Sequence, residues 1–259
     1  MAQALVTGAG ARLGREMALY LAGRGFDVAV HYASSKGGAD ETVDAIRQLG
    51  GHAVALQADL LDSDAVRALV PCAIKALGGP LTCLVNNASI FEYDNLDSMT
   101  EISWDRHIDS NLRAPVFLSQ AFSKQVPDPV IDHQGEPVAQ AMILNMLDMR
   151  VHKLTPEFSS YTIAKMGLWA FTRTAAQGLA DRVRVNAIGP GPTLQGHRQS
   201  KAHFTKQREN TVLKRGANPA DITAALGYFL DAPSVTGQLL CIDGGQHLAW
   251  QTPDVVGVE

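Results

Sequence analysis

Residues 7–14 read Thr-Gly-Ala-Gly-Ala-Arg-Leu-Gly and stand between a short apolar run (residues 4–7) and a segment of helical period (residues 12–24). A strand that turns through glycines straight into a helix is the strongest constraint in this chain, because the same alternation then repeats to the C-terminus. Strand-like runs recur at residues 27–32, 52–57, 81–86, 142–146, 183–188 and 238–242. Segments of helical period fall between them at 39–49, 63–77, 103–124, 159–180 and 219–230. Strands separated by helices cannot pair as tight hairpins. They cross over and lie parallel, with helices covering both faces of the sheet. Seven strands with short connections predict one doubly wound α/β sheet spanning residues 1–259 as a single domain.

Composition narrows the function. With 46% hydrophobic and 19% charged residues the chain can bury a large core, and at a net charge of -4 it lacks the basic face of a nucleic-acid binder. The start, MAQALVTGAG, has no basic segment followed by a long apolar one, and no run reaches membrane-spanning length. The three cysteines, Cys72, Cys83 and Cys241, form no CxxC pair and read as small buried hydrophobes in a reducing compartment. A cytoplasmic protein is expected. The eight histidines show no metal-ligand spacing, so no metal site is expected. Three stretches break the rhythm: residues 126–138, with three prolines, read as an exposed loop, residues 189–210 as a substrate loop, and residues 246–259 as a C-terminal tail.

The turn at Gly8, Gly10 and Gly14 predicts a phosphate site. Glycines let the backbone approach a pyrophosphate, and the following helix offers unpaired N–H groups and a positive dipole end. Arg12 opposes that dipole, which a bound polyanion would reverse. A dinucleotide fold that takes NAD places a carboxylate at the end of the second strand to hold the ribose 2′-hydroxyl. Here the strand ends His31-Tyr32-Ala33-Ser34-Ser35-Lys36. Two hydroxyls and a lysine suit a 2′-phosphate, so the expected cofactor is NADPH on a Rossmann-type sheet.

Tyr161 and Lys165, four apart on a helix, share one face. A free phenol titrates near 10, and a nearby ammonium would bring it toward the working range of an acid or base.

With these pieces in order the chain resembles the short-chain dehydrogenases/reductases over nearly its whole length. The matching residues are the turn at Thr7, Asp59 in QADL, Asn86-Asn87-Ala88, Asn111, Tyr161 with Lys165, Asn186 in RVNAIGPG, and Asp243-Gly244-Gly245. The resemblance implies Tyr161 as proton donor, Lys165 on the nicotinamide ribose, and Asn111 holding a water of the proton relay. It also implies cofactor contacts from Leu13, Asp59, Leu60, the Asn87-Ala88 backbone, Pro190 and Gly191, and a homotetramer or homodimer. Three features match the pteridine reductase branch: Arg12 where most members carry glycine, Asp148 where most carry a serine, and Phe91 in Asn-Ala-Ser-x-Phe. In that branch the phenylalanine stacks the pterin, the arginine contacts phosphate and pterin, and the aspartate joins the tyrosine in protonation. The expected substrate is therefore a pterin bound by Phe91, Arg12, Asp148 and Tyr161. A carboxylate beside the reacting centre would repel an oxyanion developing at a ketone, and favours a ring nitrogen that gains a proton. The other readings are a carbonyl reductase acting on a ketone, sugar or acyl thioester, and a non-catalytic NADP(H)-binding protein.

Overall fold

A computed structural model describes residues 2–196 and 199–251. The first half runs β1 (Ala2–Val6), α1 (Arg12–Gly23), β2 (Phe26–Tyr32), α2 (Lys36–Gln48), β3 (Ala53–Gln57), α3 (Ser63–Leu77) and β4 (Cys83–Asn86). The chain then forms α4 (Glu101–Ile108), a π-turn (Asp109–Arg113), α5 (Ala114–Ser123) and the hairpin β5 (Val130–Ile131) and β6 (Pro137–Val138). It ends with β7 (Ala141–Met146), α6 (Ser159–Gly178), β8 (Val183–Pro190), α7 (Lys201–Glu209), α8 (Pro219–Asp231) and β9 (Leu239–Ile242).

Seven strands make one sheet in the order β3-β2-β1-β4-β7-β8-β9, parallel throughout. Both faces are covered, which is why the strands are mostly apolar. Along β1 the side chains alternate: Ala4 and Val6 join Met17, Ile46 and Phe229 on the α1/α2/α8 face. Leu5 joins Leu69, Leu118 and Phe122 on the α3/α5 face. The chain leaves β1 toward β2 and β3 on one side, then returns to place β4 on the other. The C-terminal ends of β1 and β4 thus flank the switch point where open α/β sheets bind ligands.

Three expectations need correction. The segment 103–124 is not one helix: the π-turn separates α4 from α5 and contains Asn111. Pro115, in the first turn of α5, has no N–H to continue the α-helical ladder back to Asn111. The proline-rich stretch 126–138 is exposed, as expected, but closes on itself as the β5–β6 hairpin. Of the cysteines, Cys83 is buried, Cys241 half-buried and Cys72 exposed, so the last is no core residue. In the tail, Gln246–Leu248 form a short 3-10 turn, and residues 252–259 lie outside the described residues. Among the described residues no helix is long and apolar enough to cross a membrane, and no three potential ligands cluster for a metal ion.

Candidate active site

A cleft of about 430 Å³ opens at the switch point. Its floor is the glycine turn, with Gly8, Gly10, Arg12, Leu13 and Gly14. One wall is the end of β2, with Tyr32, Ser34 and Ser35, and the opposite wall is Asn87, Ala88 and Gly191. These expected residues are brought together. Ala11, Ala33, Ser89, Thr193 and Leu194 also line the cleft; they fall inside the motifs and the loop read from sequence but were not singled out as site residues.

Backbone fixes this half of the site. Gly8 has φ +64°, the left-handed region that glycine tolerates. A Cβ on Gly14 would run into the Gly8 carbonyl and meet Asn87 Nδ2 at 2.5 Å. Thr7 Oγ1 accepts from the backbone N–H of Asn87 (2.9 Å) and of Ala88 (3.0 Å), and Asn87 Nδ2 donates to the Thr7 carbonyl at 2.8 Å, tying β1 to β4. Neither α1 nor α2 has a side-chain cap or an acidic residue in its first turn, so both N-termini suit an anion. A narrow cleft floored by glycine, bounded by two free helix N-termini and two serines, and without a carboxylate at the end of β2, fits a dinucleotide bearing a 2′-phosphate. Lys36 instead pairs with Asp40 at 2.7 Å on the surface of α2.

Four expected cofactor residues, His31, Asp59, Leu60 and Pro190, are not among those that line this cleft. His31 is buried behind the turn: its Nδ1 accepts from Gly8 N–H (3.0 Å), and Nε2 faces the Ala58 carbonyl at 3.1 Å. Burial pushes its pKa below the usual imidazole value. The neutral ring is thus a strut for the turn rather than part of the cleft wall. Asp59 is exposed and accepts from Leu61 N–H at 3.0 Å, while Leu60 is buried in the core beneath it. Pro190 ends β8 one residue short of the cleft wall. Arg12 has φ +53° and donates to the Leu194 (3.1 Å) and Gln195 (2.9 Å) carbonyls, bridging the turn to the loop after β8.

The catalytic half is built on side chains. α6 carries Tyr161 and Lys165 inward, 5% and 2% exposed. Tyr161 donates to Asp148 Oδ2 at 3.0 Å, and Asp148 also accepts from Arg150 N–H at 2.9 Å. Burial raises the Asp148 pKa, and burial with the neighbouring carboxylate pushes Tyr161 well above 10. Lys165 Nζ donates to the Met146 carbonyl at 2.7 Å and lies 5.6 Å from the Tyr161 ring centroid; burial lowers its pKa to about 8. The phenol is thus held up rather than drawn down by the ammonium as expected, first by its burial and then by its contact with Asp148. Asn111 is fully buried and its side chain is spent on Ile90, with Oδ1 accepting from N–H and Nδ2 donating to C=O, each at 2.8 Å.

That pair fixes the segment bearing Phe91, which is 48% exposed. The Phe91 ring lies edge-on to Tyr161 (4.7 Å between centroids) and is stacked on Phe158 at 4.4 Å. Phe158, unsuspected from sequence, adopts φ +58° at the start of α6, with Tyr93 edge-on at 5.3 Å and the Arg150 guanidinium 4.8 Å from its centroid. The His152 ring is exposed, its centroid 5.8 Å from that of His247.

Fold and site together define an NADP-dependent oxidoreductase. The chain belongs to the short chain dehydrogenase family, whose family model matches residues 2–206. Among solved structures it is similar to FolM alternative dihydrofolate reductase 1 from Brucella suis in complex with NADP, at 40% identity, a TM-score of 0.91 and 98% of each chain covered. It is also similar to a short chain dehydrogenase from Burkholderia cenocepacia in complex with NADP, at 30% identity and a TM-score of 0.85, covering 95% of this chain and 97% of that one. Among curated relatives, the 3-oxoacyl-[acyl-carrier-protein] reductase FabG of Staphylococcus epidermidis is 32% identical over 95% of this chain and 98% of its own length.

Proposed function

We propose that this chain reduces a C=N bond of a pteridine ring, of dihydropterin or dihydrofolate type, with NADPH. The observation that carries the proposal is the contact between Tyr161 and Asp148: a phenol donating to a carboxylate at 3.0 Å, with burial disfavouring charge on both. Bound NADPH supplies the hydride. The chain's own residues then have to hold the dinucleotide, deliver a proton and position a flat ring.

In this reading the turn from Gly8 to Gly14 and the α1 N-terminus hold the pyrophosphate, with Arg12, Ser34 and Ser35 on the phosphates. Tyr161 keeps its proton at neutral pH and gives it to the ring nitrogen next to the carbon that receives hydride. Asp148, beside it, accepts hydrogen bonds from N–H groups of a pterin and disfavours an oxyanion in the same place. Lys165, with a pKa of about 8, is a cation that can return a proton to Tyr161. Phe91 offers an exposed ring at the edge of Tyr161, a platform for a flat heterocycle. The likeness to FolM alternative dihydrofolate reductase 1 from Brucella suis supports the same substrate class.

The second reading, reduction of a ketone or acyl thioester, is favoured by the relatives named 3-oxoacyl-[acyl-carrier-protein] reductase. A panel followed at the NADPH absorbance band separates the two. Dihydrobiopterin, dihydromonapterin or dihydrofolate should be turned over in preference to an acetoacetyl thioester. Turnover of ketones with no turnover of any pterin would overturn the proposal.

A further inference from the structure

The segment between β4 and α4 is fastened at alternate residues. Ile90 is held by the Asn111 side chain, and Glu92 N–H donates to His107 Nε2 at 3.1 Å while its carboxylate takes two bonds from Arg106, at 2.9 and 3.2 Å. Asp94, 1% exposed, makes the last and largest set of contacts. Between these ties Phe91 and Tyr93 point outward, both against Phe158.

Asp94 reaches 66 residues along the chain to the start of α6. Helix N-termini leave several N–H groups without partners, and a Ser, Thr, Asp or Asn at the cap normally supplies one acceptor. At the start of α6 the cap position is Phe158, which has no side-chain acceptor. Asp94 replaces it: its backbone carbonyl accepts from Phe158 N–H (2.7 Å) and Ser159 N–H (3.3 Å), and its Oδ1 accepts from Ser160 N–H at 3.2 Å. The Ser160 hydroxyl donates to Asp94 Oδ2. Because His107 Nε2 accepts from Glu92, the ring proton sits on Nδ1 and donates to Ser160 Oγ at 2.6 Å. Burial lowers the His107 pKa, which keeps the ring in this neutral form. The chain His107 to Ser160 to Asp94 thus runs one way, through the residue just before Tyr161.

We propose that Asp94 is the positioning residue of this enzyme. It caps α6 from a remote segment and, through Ser160 and His107, locks the Phe91 segment and the Tyr161 helix into one unit. Asp94 touches neither substrate nor cofactor. Its effect is on where the phenol and the Phe91 ring stand relative to each other. The inference rests on Tyr161 as proton donor, and not on the identity of the substrate.

The test is Asp94→Asn in the full-length enzyme, with Tyr161→Phe in parallel. Turnover is measured with dihydrobiopterin or, if that is not a substrate, with an acetoacetyl thioester, and is normalised to sites titrated by NADPH. An Asn side chain keeps the size but leaves one acceptor where two are used. The expected result is a kcat about tenfold lower, as small misplacements of a catalytic group produce, with the Kd for NADPH within twofold of the parent. Ser160→Ala, which removes the hydroxyl link but leaves the backbone cap, should lower kcat in the same direction by a smaller factor, and stands as the test if Asp94→Asn fails to fold. Parent kcat per NADPH-binding site in the folded variants, whatever their melting temperatures, would overturn the positioning role. Should Tyr161→Phe itself keep parent activity, it is the proton-donor reading that fails.

Discussion

The two halves of the cleft are built from different materials. On the dinucleotide side the geometry is set by backbone: a glycine at positive φ, a missing Cβ at Gly14, and side chains of Thr7, Asn87 and His31 that bond to main chain. On the substrate side three ionisable groups stand together, Tyr161 and Lys165 buried and Asp148 half-buried, and each is shifted against its charged form: Asp148 upward, Tyr161 upward and Lys165 down to about 8. The first half can hold an anion chiefly with main-chain N–H groups, Arg12 being the one charged side chain among the residues that line it. The second keeps protons mobile at a cost in stability, as functional sites commonly do.

The sharpest way to break this contrast is steric. Gly14→Ala puts a methyl against the Gly8 carbonyl and Asn87 Nδ2. It is expected to cost about 2–3 kcal/mol of the native turn geometry, seen as roughly a hundredfold weaker NADPH binding by fluorescence titration. Unchanged affinity would mean the turn does not hold the dinucleotide.

A smaller effect is expected on the other side. Lys165 titrates at about 8 in the folded chain against 10.5 for an unperturbed lysine. The unfolded chain therefore binds its proton more tightly, and the native state is penalised below about pH 8. That penalty is relieved as pH rises from about 8 to 10.5. Lys165→Met should remove this pH slope from thermal unfolding and, even after losing the bond to Met146, raise the melting temperature at pH 7 by about 2–4 °C, near 1 kcal/mol. A lower melting temperature would show that the ammonium is stabilising where it stands.

The same contrast explains what could be read from sequence. Period, glycine spacing and the bare end of β2 are local signals, and they located all seven strands of the sheet and most of the cleft floor. Tyr161, Lys165, Asp148 and Phe91 carried their own chemistry and are brought together. Local signals are silent wherever a partner is distant. Nothing near His31 says that its ring will bond to Gly8, and nothing near Phe158 says that Asp94 will cap its helix. The π-turn at Asn111 was hidden because one extra residue barely disturbs the apolar period of residues 103–124. The phenol shift is set by burial and by the Asp148 contact, and four-residue spacing on one helix reveals neither.

The measurement that bears most directly on the central claim is the ratio of kcat/KM for dihydrobiopterin to that for an acetoacetyl thioester, taken for the parent and for Asp148→Ser. If the carboxyl beside Tyr161 selects a ring nitrogen as proton acceptor, the substitution should cut pterin reduction by about a hundredfold, the scale of a lost acid–base partner, while thioester reduction holds or rises. A ratio that stays the same, or that shifts toward the pterin, would contradict it.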